Sequence, residues 1–128
     1  MIETVLGSTR RPDISFYRKR AKIDIYSRIS KMLNLSDGDV VDIARDKGEY
    51  FIYRRHKSGV MGKHRGVLKK PHNVSVSFLR VYSRPLCEAI FCASSKFEGM
   101  DVLKLPAGEP VELEGLGTAV PLITRNPL

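Results

Sequence analysis

Apolar and polar residues alternate over short segments, which predicts β-strands along most of the chain. Residues 20–26 show the pattern clearly, with one face carrying Ala21, Ile23 and Ile25 and the other Lys22, Asp24 and Tyr26. Similar patterns predict strands at residues 14–18, 39–45, 49–55, 73–82, 101–105, 109–115 and 119–124. Ile29, Met32 and Leu33 fall at helical spacing after a candidate N-cap at Ser27, and a second helix follows Ser83 and Pro85. The sequence therefore predicts a mainly β fold with two short helices.

The order of predicted elements occurs twice, as two units of ββαββ type. The segment IYSR at residues 25–28 recurs as VYSR at 81–84, and LNLSDGDVVDI at 33–43 aligns without a gap with LKLPAGEPVEL at 103–113. Such a repeat indicates an internal duplication. The alternative explanation is that two strand–turn–strand segments acquired similar patterns by convergence. We expect an N-terminal arm (residues 1–13), a first barrel unit (14–55), a basic connecting loop (56–72) and a second barrel unit (73–128) packed with the first as one domain.

Positive charge is concentrated in one part of the chain. The formal net charge is +8, and residues 1–72 carry 17 basic and 8 acidic residues, whereas residues 73–128 carry 5 and 6. The basic residues form three clusters, namely Arg10–Arg11, the group from Arg18 to Lys22, and the run from Arg54 to Lys70. Such clusters attract polyanions. The alternative is that the charge serves solubility only.

Other classes of protein find little support in the sequence. No stretch approaches 18 consecutive apolar residues and no apolar signal region follows Met1, so we expect a cytoplasmic protein without membrane contact. We expect no metal, because the spacing of the histidines and cysteines matches no common zinc site, and we expect both thiols to be buried. No nucleophile–base motif or phosphate-binding loop is recognisable, so neither a cofactor nor enzyme activity is predicted. The histidines and cysteines of the chain are His56, His64, His72, Cys87 and Cys92.

The segment from Ile25 to Arg55 carries a recognisable pattern: a strand, a short helix, the motif Leu-x-x-Gly-Asp-x-Val-x-Ile at residues 35–43, and a hairpin ending in basic residues. In this it resembles the AbrB-type swapped-hairpin proteins (SpoVT/AbrB-like cradle-loop barrels), which include DNA-binding regulators and antitoxin domains. The chain departs from that family in lacking a Gly-Arg turn and a proline before Tyr26, and in carrying a second unit. The resemblance implies a small swapped-hairpin barrel, closed here within one chain.

Charge and resemblance together predict a noncatalytic DNA-binding protein, a transcriptional regulator of a bacterial or phage kind that favours double-stranded DNA. The predicted DNA-binding residues are Arg18, Lys19, Arg20, Lys22 and Arg28 in the first unit, Arg80 and Arg84 in the second, and Arg10, Arg11, Lys63, Arg65, Lys69 and Lys70 in the arm and loop. The nearby aromatic residues either pack in the core or stack on unpaired bases, as in single-strand binders: Tyr17, Tyr26, Tyr50, Phe51, Tyr53 and Tyr82. The alternative function is a structural or assembly protein, part of a phage particle or nucleoprotein complex, that uses the barrel for a protein partner or self-association.

Overall fold

The computed structural model describes residues 11–55, 66–67, 78–125 and 127, which form a mainly β fold. Its strands are β1 (Ile14–Tyr17), β2 (Lys22–Tyr26), β3 (Val40–Asp46), β4 (Glu49–Arg55), β5 (Gly66–Val67), β6 (Phe78–Tyr82), β7 (Val102–Leu105), β8 (Val111–Leu113) and β9 (Gly117–Leu122). Two short helices, α1 (Ser27–Met32) and α2 (Arg84–Phe91), follow β2 and β6, and a 3₁₀ helix covers Ser95–Phe97. The prediction of a mainly β fold with two short helices is confirmed.

The strands build two antiparallel sheets. Sheet A has the order β6-β2-β1-β7, and sheet B has the order β5-β3-β4-β9-β8. One isolated bridge, between Ala107 and Leu122, connects the chain just after β7 to the end of β9. Among the described strands these pairings form two sheets and do not close a barrel, so the swapped-hairpin barrel stays a prediction.

Local turn chemistry sets the register of the β3–β4 hairpin. Asp46 pairs with Glu49, and the two residues between them have positive φ angles, 51° at Lys47 and 79° at Gly48. Two successive positive φ angles define a type I′ turn, whose twist matches that of the flanking strands. Glycine adopts this conformation without strain, which is why the chain reverses here, between the strands predicted at residues 39–45 and 49–55.

The two helices begin differently. The Oγ of Ser83 accepts a hydrogen bond from the Leu86 amide at 3.3 Å, so α2 has the side-chain cap that its sequence predicts. The predicted cap of α1 at Ser27 is wrong: Tyr26 occupies the N-cap position without a side-chain cap, and Ser27 is the first helical residue. The reason is that β2 pairs with β6 as far as Tyr26, so the helix begins directly where the strand ends.

The larger of two hydrophobic clusters among the described residues forms the core, to which both sheets and both helices contribute. It includes fully buried side chains from both sheets and from α2, each of which contributes about 1.5–3 kcal/mol relative to its exposed state. Examples are Phe16, Ile23 and Ile25 of sheet A, Val41 and Ile52 of sheet B, and Leu86 and Ile90 of α2. Because sheet A gives one face to this core, its other face is directed away from it.

The two repeated segments correspond only in part. Strands β2 and β6 pair so that Asp24 lies directly opposite Arg80, and the alignment of IYSR with VYSR makes these two positions equivalent. The strand pair therefore has a local two-fold relation about that residue pair. The second alignment holds less well, because Leu103–Leu105 belong to β7, whereas the corresponding residues 33–35 follow α1 outside any strand.

The predicted basic loop at residues 56–72 contains a short strand. Gly66–Val67 form β5, which pairs with Val40–Val41 at the edge of β3. Backbone groups at the edge of a sheet lack partners, and a pairing segment satisfies them. The prediction of a plain connection is therefore wrong at β5, and the other residues of the loop lie outside the described part of the chain, as do residues 1–10 of the arm.

Candidate nucleic-acid interface

Side chains that alternate with the core residues of sheet A form what we call the outer face of sheet A. Ile23 and Ile25 are buried in the core, so Lys22, Asp24 and Tyr26 point the other way. The strand registers then place the residues in three cross-strand rows. The first row is Tyr82, Lys22, Tyr17 and Val102, the second is Arg80, Asp24, Ser15 and Lys104, and the third is Phe78 and Tyr26.

Four aromatic rings stand on this face in two groups. Tyr82 is 58% exposed, and Tyr17, Tyr26 and Phe78 are half-buried. The rings of Tyr26 and Phe78 are tilted against each other with centroids 5.9 Å apart. The first and third rows are four residues apart along β2, which corresponds to about 13 Å. The face thus has aromatic side chains at both ends and a polar row between them.

Cations lie beside these rings. The Nζ of Lys22 is 4.2 Å from the ring centroid of Tyr17, and the guanidinium carbon of Arg80 is 5.1 Å from that of Phe78. Both distances are within the range of cation–π attraction. Lys104 is exposed on β7. Since a cation over a ring keeps its charge, Lys22 and Lys104 provide positive charge to a ligand on this face.

An ion pair occupies the centre of the middle row. Arg80 donates from Nε to Oδ1 of Asp24 at 2.7 Å and from Nη2 to Oδ2 at 3.2 Å. The Asp24 side chain is 6% exposed and that of Arg80 is 23% exposed. The hydrogen bonds to Asp24 raise the pKa of Arg80 further above its ordinary value. The pair is therefore held as a neutral unit, and the carboxylate of Asp24 does not oppose an anionic ligand.

Tyr17 presents an uncharged ring. Burial is the main cause that raises the pKa of Tyr17 above its usual value, with smaller contributions from Tyr26 and Asp24. Ser15 donates a hydrogen bond to the hydroxyl oxygen of Tyr26 at 3.4 Å. At neutral pH Tyr17 is therefore a neutral phenol, which adds no repulsion toward phosphate.

One rim of the face is the turn between β1 and β2. Arg18 makes a bidentate contact with Glu88, with Nε–Oε1 and Nη2–Oε2 distances of 3.2 and 3.0 Å. Arg84 donates to the backbone oxygens of Arg18 and Lys19 at 2.6 and 3.1 Å. Arg18 and Arg84 thus fasten the turn to α2, whereas Arg20 is exposed and the Lys19 side chain is 81% exposed beside Asp101.

The opposite rim is a depression of about 340 Å³, lined by Arg11, Pro12, Asp13, Tyr26, Ser27, Arg28 and Lys104. Arg28 donates to Asp13 at 3.0 Å, to the backbone oxygen of Ala107 at 2.5 Å and to Glu109 at 3.1 Å. Its guanidinium is therefore committed to joining the start of β1 to the chain after β7. The cations that this rim offers to a ligand are the exposed side chains of Arg11 and Lys104.

The structure brings some of the predicted binding residues together on one surface, and it engages others in contacts within the chain. Lys22 and Arg80 lie on the outer face of sheet A, with Lys19 and Arg20 at one rim and Arg11 at the other. Intramolecular contacts hold Arg18, Arg28 and Arg84, and Arg80 is paired with Asp24. Five predicted residues lie outside the described part of the chain: Arg10, Lys63, Arg65, Lys69 and Lys70.

Sequence reasoning did not single out Lys104 and Phe78. Each alternates with core residues, Lys104 between Leu103 and Leu105, and Phe78 beside Leu79, so period-two alternation was the available signal. The sequence leaves two alternatives open for the aromatic residues, packing in the core or stacking on unpaired bases. The two sheets differ in how they place these residues. Phe51 and Tyr53 of sheet B are buried and Tyr50 packs against the core, whereas Tyr17, Tyr26 and Tyr82 lie on the outer face of sheet A.

The two thiols and the candidate metal ligands were the other chemical groups that the sequence offered. Burial raises the pKa of the Cys87 thiol to about 11. Cys92 follows the last helical residue and is exposed, so the prediction that both thiols are buried is wrong for Cys92. The described residues contain no cluster of three or more metal-ligating side chains, and the histidines lie outside them. Within those same ranges, no helix has the length and apolar character needed to cross a membrane.

Comparisons with protein-family models, with curated proteins and with solved structures found no match to this chain.

Proposed function

We propose that the chain is a noncatalytic DNA-binding protein that holds DNA on the outer face of sheet A. The observation that carries this proposal is the presence of Lys22 and Lys104 on the same face of sheet A as the rings of Tyr17, Tyr26 and Tyr82. Lysines neutralise phosphates, and aromatic rings contact bases and sugars. Because Asp24 is neutralised by Arg80, the charged groups left to act on a ligand here are positive.

The two rims extend the positive surface beyond the sheet. Lys19 and Arg20 lie past the first row, and Arg11 lies past the third row beside Lys104. A strand laid along the direction of β2 would meet these cations in turn. The formal net charge of +8 supports the same ligand class, because it promotes association with polyanions.

We further propose that the two sheets form a swapped-hairpin barrel and that the protein is a regulator. Interleaved units are supported by the position of β7 beside β1 and of β9 beside β4, since each pair joins the two repeated segments. The bridge between Ala107 and Leu122, together with the approach of β5 to β6, supports continuity between the sheets. We propose regulation at DNA, as the AbrB-type resemblance implies, and selection of a preferred sequence from random DNA would test it.

The experiment that tests DNA binding is fluorescence anisotropy with labelled random duplex, single-stranded DNA and RNA across a salt series. If the five accessible cations each neutralise a phosphate, log K against log salt has a slope of about −3.5 to −4.5. The variant Lys22→Ala/Lys104→Ala should reduce the slope by about 1.5 and weaken binding at low salt. The matched control is Arg45→Ala/Lys96→Ala, which removes two exposed cations away from this face, one on sheet B and one in the 3₁₀ helix. The five cations are Arg11, Lys19, Arg20, Lys22 and Lys104.

Flat, weak binding to all three nucleic acids would overturn the proposal. Equal losses in the face variant and in the control variant would also overturn the site, because the effect would then follow net charge alone. In either case an assembly role becomes the better account, and copurification with a protein partner or concentration-dependent self-association would be the next measurement.

A further inference from the structure

We infer that the outer face of sheet A takes single-stranded DNA, with unpaired bases stacked on its aromatic side chains. The inference rests on the proposed function and names the form of DNA that the site binds. Tyr82 is 58% exposed, and Tyr17, Tyr26 and Phe78 are partly exposed on the same face of sheet A, so within the described part of the chain a flat ligand meets Tyr82 first and the other rings beside it. In a duplex the faces of the bases are covered by neighbouring base pairs, so rings on a sheet can stack only on unpaired bases.

The spacing of the rings suits a short strand. Tyr82 and Tyr17 are two strands apart in the first row, about 10 Å, and the Tyr26–Phe78 pair lies about 13 Å from that row along β2. At 3.4 Å per stacked nucleotide, 13 Å corresponds to about four nucleotides. The face therefore accommodates bases at both ends of a segment of about this length, with its phosphates near the polar row between them.

The charges on the face also favour a single strand. A duplex presents phosphates on both strands, and reading its major groove requires a helix or β-ribbon that projects into it. The three cross-strand rows of the outer face consist of strand residues, and both helices bury apolar residues in the core, Ile29 from α1 and Leu86 from α2. The helices reach only the rims of the face, with Arg28 of α1 and Arg84 of α2. What remains on the outer face is two accessible lysines beside the rings, Lys22 and Lys104, which match one phosphate backbone and its bases.

The test separates stacking from phosphate contact with four probes of equal length: a dT 12-mer, an abasic 12-mer with the same phosphates, a U 12-mer and a 12-base-pair duplex. The protein variants are Tyr82→Leu and Tyr17→Leu, with Tyr82→Phe and Tyr17→Phe retaining each ring. Tyr50→Leu is the matched control, because Tyr50 is half-buried on sheet B with Arg45 5.8 Å from its ring centroid. Circular dichroism melts establish that each variant is folded.

We expect the dT 12-mer to bind more tightly than the duplex and at least about 5-fold more tightly than the abasic strand, which is the lower range for one stacked base. Each leucine variant should lose a similar factor for the dT 12-mer and little for the abasic strand, while both phenylalanine variants should retain affinity. The chain has five tyrosines and no tryptophan, so stacking on Tyr82 should appear as a difference in tyrosine fluorescence: dT should quench it less in Tyr82→Phe than in the parent protein.

Each other outcome has a distinct meaning. Duplex binding as tight as dT binding, or an abasic strand that binds as well as dT, would overturn the stacking inference and leave DNA binding intact. Loss of binding to all four probes in the parent protein would overturn the proposed function itself. Tighter binding of the U 12-mer would support stacking of unpaired bases and would overturn the choice of DNA over RNA.

Discussion

The ion pair between Asp24 and Arg80 is the polar interaction at the centre of sheet A, and removing one partner should destabilise the protein asymmetrically. Arg80→Met leaves the Asp24 carboxylate, only 6% exposed, without its bidentate partner. Breaking a buried pair in this way costs about 3–5 kcal/mol, and because the Arg80 side chain is 23% exposed we expect about 3 kcal/mol. Asp24→Asn keeps a hydrogen-bond acceptor and leaves a guanidinium that reaches water, so we expect about 1 kcal/mol.

Urea denaturation at pH 7, followed by circular dichroism, measures these free energies of unfolding. The exchange variant Asp24→Arg/Arg80→Asp should recover at least half of the free energy lost in Arg80→Met. The reason is that positions 24 and 80 are directly opposite, so the exchange forms the same ion pair with each partner on the other strand. Arg45→Met, at an exposed position, is the control and should change stability by less than about 0.5 kcal/mol. The reasoning is refuted if Arg80→Met costs less than 1 kcal/mol, which is typical of exposed ion pairs, or if Asp24→Asn costs more than Arg80→Met.

Four further predictions concern the two thiols, a tight contact and the partly exposed contacts of Arg28. A thiol-specific reagent at pH 8 should modify Cys92 quickly and Cys87 slowly, because a thiol with a pKa of about 11 is only about 0.1% ionised there. Since that pKa is raised, stability should fall as pH rises from about 9 toward 11, and Cys87→Ala should reduce this fall in urea titrations without abolishing it, because the pKa values of Tyr17 and Tyr53 are raised as well. Gly108→Ala would place a Cβ 2.9 Å from Cγ of Pro121, so we expect a loss of about 1–3 kcal/mol, and an unchanged melting temperature would contradict it. Arg28→Lys cannot reproduce three guanidinium contacts and should lower the melting temperature, whereas an effect on DNA affinity alone would indicate a direct binding role.

The elements that the sequence predicts well are those fixed by nearby residues. The Lys47–Gly48 turn sets the β3–β4 hairpin, and the Ser83 cap with Pro85 starts α2. The alternation in residues 20–26 also predicts that Ile23 and Ile25 of β2 face the core. It is wrong for Ala21, which precedes β2 in a turn with a φ of 51°, and it does not reveal that Asp24 is buried by its contact with Arg80. The correctly predicted features depend on backbone conformation and periodicity within a few residues, and such information is present in any single sequence.

The partners of these elements depend on pairings over long sequence separations. Ile14 pairs with Leu105, and Tyr53 pairs with Ala119, so the order of the strands in each sheet follows from the packing of the whole core. Lys104 joins the outer face of sheet A only because β7 lies beside β1. Alternation predicts that such a residue points outward, but the surface that it joins is decided by tertiary structure.

The same limit applies to the basic residues. In the sequence Arg18, Arg28 and Arg84 look like free cations, yet their partners are far away in the chain, as with Glu88 for Arg18. A local count of charges therefore overestimates the surface available to DNA, because bidentate arginine contacts are a strong means of joining distant segments. Lysines are less often used in this way, and it is Lys22 and Lys104 that remain on the face.

The repeated segments give a physical reason for the arrangement of the outer face of sheet A. The alignment of IYSR with VYSR makes Tyr26 equivalent to Tyr82, and the local two-fold relation about Asp24 and Arg80 places these tyrosines at opposite ends of the face. In a symmetric dimer of one unit the central positions would hold identical residues, and like charges directly opposite each other repel. Two unequal units in one chain allow an ion pair there instead. The same inequality places Lys22 where the other unit has Phe78, so the face keeps a ring at each end and gains a cation beside one of them.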